Sequence, residues 1–116
     1  MNADDVGMFG RDNKENIARL LEEILALNKD FRLVLTEFNP WAIWFHGERI
    51  AKLLASPKII FATVPLESGS QKILKLMRRP YLLENVLPIM ARIKEENPKI
   101  KINTHIIVGF PGETKE

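Results

Sequence analysis

Lys58 to Val64 reads Lys-Ile-Ile-Phe-Ala-Thr-Val, an almost unbroken apolar run set between Ser56-Pro57 and Pro65. A strand without in–out alternation is expected where both faces are covered, as when helices cross over a parallel sheet. The flanking sequence fits that arrangement. Upstream, Ile17, Leu20, Leu21, Ile24 and Leu25 recur at helical spacing, with Asp12 and Glu15 placed as a capping box and Asn28 as a stop. Phe31 to Phe38 reads as another strand, ended by Asn39-Pro40. Trp41 to His46 is aromatic and irregular, and Gly47-Glu48 opens a short helix carrying Ile50, Leu53 and Leu54. Downstream, Ser70 caps a helix bearing Ile73, Leu74 and Met77, which ends at Arg78-Arg79-Pro80. A longer helix runs from about Leu83 to Glu96, with Val86, Leu87, Met90 and Ile93 on one face and Pro88 inside it, where a backbone bond is lost or the helix kinks. Ile100 to Val108 is the last strand, and Gly109 to Thr114 the turn that leaves it. Strands alternating with helices predict an α/β fold built on a parallel sheet, in one segment over residues 1–116 with no dividing linker.

Composition allows this fold and removes several functions. With 46% hydrophobic and 28% charged residues the chain has enough apolar surface to form a core. A net charge of +2, spread along the sequence, gives no field for binding nucleic acid by electrostatics alone. The chain has no cysteine, so these residues offer no disulfide, zinc ribbon, thiolate-held iron–sulfur cluster or cysteine nucleophile. Two histidines without ligand spacing do not suggest a metal site. No apolar run reaches the roughly 18 residues of a membrane helix, and Met1 to Asp5 lacks the pattern of a signal peptide, so a cytoplasmic location is expected.

In parallel α/β folds ligands gather at the C-terminal ends of the strands. Four loops belong there: Asp4 to Gly7, Glu37 to Pro40, Pro65 to Ser70, and Gly109 to Thr114. Glu67-Ser68-Gly69-Ser70 offers a carboxylate, two hydroxyls and a glycine, suited to an amine, carboxylate or ribose, and equally suited to a helix cap. Gly109 to Thr114 lacks the Gly-Lys-Ser/Thr ending of a P-loop; its backbone can lie against a planar base or form an ordinary left-handed turn. Arg78-Arg79 reads first as a solvated helix end, and Trp41, Trp44 and Phe45 as a packed loop cluster before a base-stacking surface. His105 reads as a packed strand residue.

Three of these segments, in order, carry a resemblance. Val64-Pro65-Leu66-Glu67-Ser68-Gly69-Ser70, then Leu74 to Tyr81, then Ile106-Ile107-Val108-Gly109-Phe110-Pro111-Gly112-Glu113-Thr114 resemble the radical S-adenosylmethionine (SAM) superfamily, in its methylthiotransferase branch. Asp5-Val6-Gly7, Phe9-Gly10 and Asp12 are similar to the same family's segment after its second strand. The resemblance implies a partial (β/α) TIM-like barrel that binds SAM across its strand ends. It implies cofactor contacts from Asp5, Glu67, Ser68, Ser70, Gly109, Phe110, Gly112 and Glu113: the serines near the methionyl or ribose groups, Gly109 to Glu113 along the adenine, and Asp5 near the amino group. The sequence departs from the family at Glu67, usually glutamine, and at His105, usually aspartate. An ionised Glu67 accepts hydrogen bonds but donates none.

In that family a Cys-x-x-x-Cys-x-x-Cys loop after the first strand holds a 4Fe-4S cluster, which cleaves SAM to a radical that abstracts hydrogen. No such loop occurs in these residues, so the resemblance implies the middle of the barrel, without the cluster loop and the last strand. The segment alone would be inactive, and the parent would act on tRNA or a ribosomal protein. Two other readings stay open: a cysteine-free module that binds SAM or a nucleotide, and an interaction module using Trp41, Trp44 and Phe45. Open sheet edges and an uncovered inner face predict self-association of the isolated chain.

Overall fold

The computed structural model describes residues 5–115. A short 3-10 turn, Val6–Met8, is followed by α1 (Ile17–Leu25), β1 (Leu33–Leu35), α2 (Pro40–His46), α3 (Glu48–Leu54), β2 (Ile59–Thr63), α4 (Gln71–Leu76), α5 (Leu83–Glu96) and β3 (Lys101–Asn103). The three strands are parallel in the order β1-β2-β3. This is the alternating α/β fold expected. The strand order follows the chain without reversal, as in an arc of a (β/α) barrel rather than a doubly wound sheet.

Register explains which face is covered. Leu33 pairs with Ile59, and Leu35 with Ala62, which pairs in turn with Ile102. These side chains share one face, with Leu35, Ile59 and Ala62 buried beneath the helices. Helices α1, α3 and α5 lie side by side over them, joined by Ile17, Leu21, Ile50, Leu54, Val86 and Ile93. On the opposite face Val34, Lys101 and Asn103 are exposed. The both-faces-covered reading of Lys58 to Val64 is thus corrected. β2 carries one extra residue against β1, because Val34 pairs with Phe61 rather than with Ile60, and Ile60 is exposed.

Several boundaries also differ from the sequence reading. The cap of α1 is Asn16, whose Oδ1 accepts the Arg19 N–H at 3.0 Å; Asp12 lies one turn too early, in the loop before it. Trp41 to His46 is a helix, not an irregular stretch. Asn39 caps it by accepting the Trp41 N–H, Pro40 occupies its first turn, and its register buries Ala42 and Ile43. β1 ends at Leu35 because Glu37 adopts a left-handed φ of 53°, although the Phe38 N–H still reaches the Thr63 carbonyl at 2.8 Å. β3 ends at Asn103, so His105 lies on an exposed loop rather than packed in a strand. Helix α5 runs through Pro88. Both Pro88 and Glu84, the residue whose carbonyl loses a partner, lie on its exposed side.

Candidate functional site

The segment leaving β2 is fixed from three directions. The Leu66 N–H donates to Thr104 Oγ1 at 3.1 Å, and Tyr81 donates its buried hydroxyl to the Leu66 carbonyl at 2.7 Å. Glu67 takes a left-handed φ of 66° and forms a single parallel bridge with Ile106. The Glu67 N–H donates to the His105 carbonyl, and the Ile107 N–H to the Glu67 carbonyl, both at 2.8 Å. The loop from β2 is thereby tied to the loop from β3 beyond the end of the regular sheet. This pinning orients the serines. Ser68 is buried and its Oγ accepts the Ser70 N–H at 3.1 Å; Ser70 Oγ accepts the Ile73 N–H at 3.4 Å and caps α4. Each hydroxyl uses a lone pair and keeps its O–H to donate.

The second wall is the turn after β3. Glu113 closes this turn with its own carboxylate, whose Oε2 accepts the N–H groups of Gly109 at 2.5 Å and Phe110 at 3.2 Å. Gly112, at φ 92°, packs so close to α4 that a Cβ would lie 3.0 Å from Leu76 Cδ1. Ser68, Gly69, Ser70 and Lys72 then face Gly112, Glu113 and Thr114 across a cavity of about 310 Å³.

Of the eight site residues read from the sequence, Ser68, Ser70, Gly112 and Glu113 line this cavity. Phe110 turns toward a second hollow, beside Leu76, Arg79 and Ile107. Gly109 lines neither, with open space where a Cβ would sit. Glu67 points away, into an ion pair with Arg79 at 3.3 Å, so Arg79 is a partnered residue rather than a solvated helix end. Asp5 lies on another part of the rim. Its Oδ2 accepts from Asn39 Nδ2 at 2.8 Å, while its Oδ1 is buried with no partner among the described residues. Asp4, in the same loop, falls outside them.

Tyr81 and Asn39 were not singled out from the sequence as positioning residues. Asn39-Pro40 carried a signal, being a cap followed by proline; Tyr81 carried none apart from its motif. Burial pushes the Tyr81 hydroxyl up to about 12, Arg79 opposing and Glu67 reinforcing the shift. The native state therefore keeps this proton at pH values where the unfolded chain, with an ordinary tyrosine near 10, has lost it. The resulting stabilisation is complete below pH 10 and is lost as pH rises through 12. Thermal melting across this range is expected to fall more steeply for the parent than for Tyr81→Phe. At pH 7 the variant should be about 1–2 kcal/mol less stable, because the Leu66 carbonyl loses its donor.

Comparison with known proteins adds an independent observation. The family described as the radical SAM superfamily matches residues 7–116. The chain is 33% identical over its whole length to a protein of Pyrococcus horikoshii named probable threonylcarbamoyladenosine tRNA methylthiotransferase, covering 28% of that protein. It is 36% identical over its whole length to the human threonylcarbamoyladenosine tRNA methylthiotransferase, covering 20% of it. Over 96% of its length it is 43% identical to the tRNA-2-methylthio-N(6)-dimethylallyladenosine synthase of Akkermansia muciniphila, covering 25% of that protein. The chain thus spans about a fifth to just over a quarter of these relatives.

Proposed function

The chain belongs to the radical SAM superfamily, and on that premise we propose that it is the SAM-binding middle portion of a radical SAM iron–sulfur methylthiotransferase whose substrate is a tRNA. The cavity between Ser68-Gly69-Ser70 and Gly112-Glu113-Thr114 carries the reading, because it joins two of the three resembling segments in one concave surface. The relatives' names favour tRNA over a ribosomal protein as the substrate class.

The residues suit SAM and do not suit the cluster. Two serine O–H groups can donate to ribose or carboxylate oxygens, and the glycine turn offers backbone to a planar base. The buried Asp5 Oδ1, without a partner among the described residues, matches an ammonium group. A 4Fe-4S cluster has no cysteine in this sequence to hold it, and no group of His, Cys, Asp or Glu among the described residues could hold a metal ion. Cluster ligation would fall to residues of the parent outside these 116. Reduced by one electron from the parent's cluster, bound SAM would supply radical hydrogen abstraction; the residues of this chain would bind the cofactor and fix its orientation. Among the described residues no helix is long and apolar enough to cross a membrane.

Titrating the isotope-labelled chain with SAM and following its amide resonances tests the reading. Saturable shifts are expected at Ser68–Ser70 and Gly109–Thr114, weakened about tenfold in the Ser68→Ala/Ser70→Ala double variant, the sum of two hydrogen bonds of about 0.5–1.5 kcal/mol each. Absence of saturable shifts, or shifts confined to another surface, would overturn it. Tight binding by the chain alone would instead favour the cysteine-free module.

A further inference from the structure

Another concave surface lies beside the Asp5–Asn39 contact, built by the loop after Val6–Met8 and by α2. Trp41 and Phe45, one turn apart on α2, stack with ring centroids 4.7 Å apart and planes inclined by 16°. The Arg11 guanidinium lies over the Trp41 ring, 4.8 Å from its centroid. His46 meets both aromatic rings edge-on. Together with Phe9 and Lys14 these residues line a cavity of about 320 Å³ that shares no residue with the serine cavity.

Core packing does not account for this arrangement. Phe45 is 63% exposed and Phe9 44%, although each could have been polar without cost to the interior. Neither Arg11 nor Lys14 has an ion pair among the described residues, whereas Glu15 beside them is taken by Arg19 at 3.1 Å. Burial, reinforced by Arg49, holds His46 below the usual imidazole range, so at neutral pH it presents an uncharged ring. The exposed Phe45 ring, with the Arg11 guanidinium over the neighbouring Trp41 and Lys14 at the margin, neither cation ion-paired among the described residues, fits a ligand that has flat bases and an anionic backbone.

We infer that the Phe9–Arg11–Trp41–Phe45 surface binds single-stranded RNA, stacking a base on the exposed Phe45 ring and placing backbone phosphates at Arg11 and Lys14. The choice of RNA over another polyanion rests on the proposed tRNA substrate. The contact itself is separate from the SAM cavity. A duplex would hide its bases from the ring, so the surface should prefer unpaired nucleotides.

Fluorescence anisotropy with a labelled oligoadenylate tests this on the chain. Phe45→Ala, at an exposed position, is expected to weaken binding about tenfold, with its melting temperature retained. Arg11→Gln should lower the slope of log affinity against log salt by about 0.7, one phosphate contact on a single strand. Quenching of tryptophan emission by the oligomer should be reduced in Phe45→Ala. An abasic oligomer of equal length should bind the parent no better than oligoadenylate binds Phe45→Ala. Undiminished binding by Phe45→Ala, absence of binding by the parent, or equal affinity for a duplex would overturn the inference. So would loss of a self-associated state in Phe45→Ala without any effect on RNA, which would mark the surface as a protein contact. SAM-induced amide shifts, read separately, distinguish failure of this contact from failure of the SAM assignment.

Discussion

Replacing Asn97 by aspartate should leave the chain largely unfolded at neutral pH and partly restore it in acid. Asn97 is 5% exposed, at the point where α5 turns toward β3. Its Nδ2 donates to the carbonyls of Ser56 and Ile59 at 3.0 Å, with a longer contact to Leu54 at 3.4 Å. One side chain thus satisfies the end of α3 and the entry to β2, while the Asn97 backbone carbonyl accepts the Ile100 N–H at 3.1 Å. Asn97→Ala removes the donor and leaves buried carbonyls unpaired, at a cost of about 2–3 kcal/mol. Asn97→Asp places a carboxylate against the same lone pairs, and losing the buried group's partners costs about 3–5 kcal/mol, a large part of a typical domain's stability. Because only the neutral acid folds well there, the aspartate's native pKa is raised, and stability is lost as pH rises through it. Urea unfolding at neutral and acidic pH checks the order: parent above Asn97→Ala above Asn97→Asp at neutral pH, with the last gap narrowing in acid.

Asn97 also shows where the sequence was legible and where it was not. Asn97-Pro98 announced the end of α5, since proline cannot continue a helix. Nothing in that dipeptide revealed that its side chain would bond an element about forty residues earlier, because long-range hydrogen bonds leave no periodic trace. The same division runs through the fold. Helices α1, α3, α4 and α5 were visible because a buried stripe at helical spacing is a local pattern. Helix α2 was hidden by its aromatics, which made a seven-residue helix look irregular despite the Asn39-Pro40 start. Strand lengths were overestimated for β1 and β3, because apolar composition continues beyond the backbone pairing. The chain leaves β1 through the left-handed Glu37, and Ile106 to Val108 remain apolar while exposed.

The site divides in the same way. Ser68 and Ser70 act as caps, as their spacing suggested, and capping still leaves each O–H available to a ligand. The cap and ligand readings therefore do not compete. Glu67 and Glu113, both carboxylates in resembling segments, are instead consumed internally, one by Arg79 and the other by its own turn. Sequence indicates which groups reach a loop. Only the folded loop shows which of them remain uncommitted.

Gly7→Ala is the substitution expected to damage both the fold and the Asp5 end of the rim. A Cβ at this buried position would lie 2.7 Å from the Asn39 backbone nitrogen, 3.1 Å from Asn39 Cβ and 3.2 Å from Ala42 Cβ. Backbone at the start of a helix cannot yield as a flexible side chain does, so α2 must move away from the Val6–Met8 turn. Such overpacking costs about 1–3 kcal/mol. On a chain of this size that lowers the melting temperature by roughly 4–20 °C. Asn39 must move with the helix, and Asn39 holds Asp5 Oδ2 while capping α2 through Trp41. The proposed ammonium contact at Asp5 should therefore weaken even where the variant stays folded. Gly69→Ala supplies the control, because no atom lies within 4 Å of the corresponding Cβ. Its melting temperature should stay within about 2 °C of the parent's, as for a surface change worth less than about 0.5 kcal/mol. Equal melting temperatures for the Gly7 and Gly69 variants would show that α2 does not press on the Val6–Met8 turn. A destabilised Gly7→Ala whose SAM-induced shift at Asp5 is unchanged would separate packing from ligand binding and remove Asp5 from the proposed site.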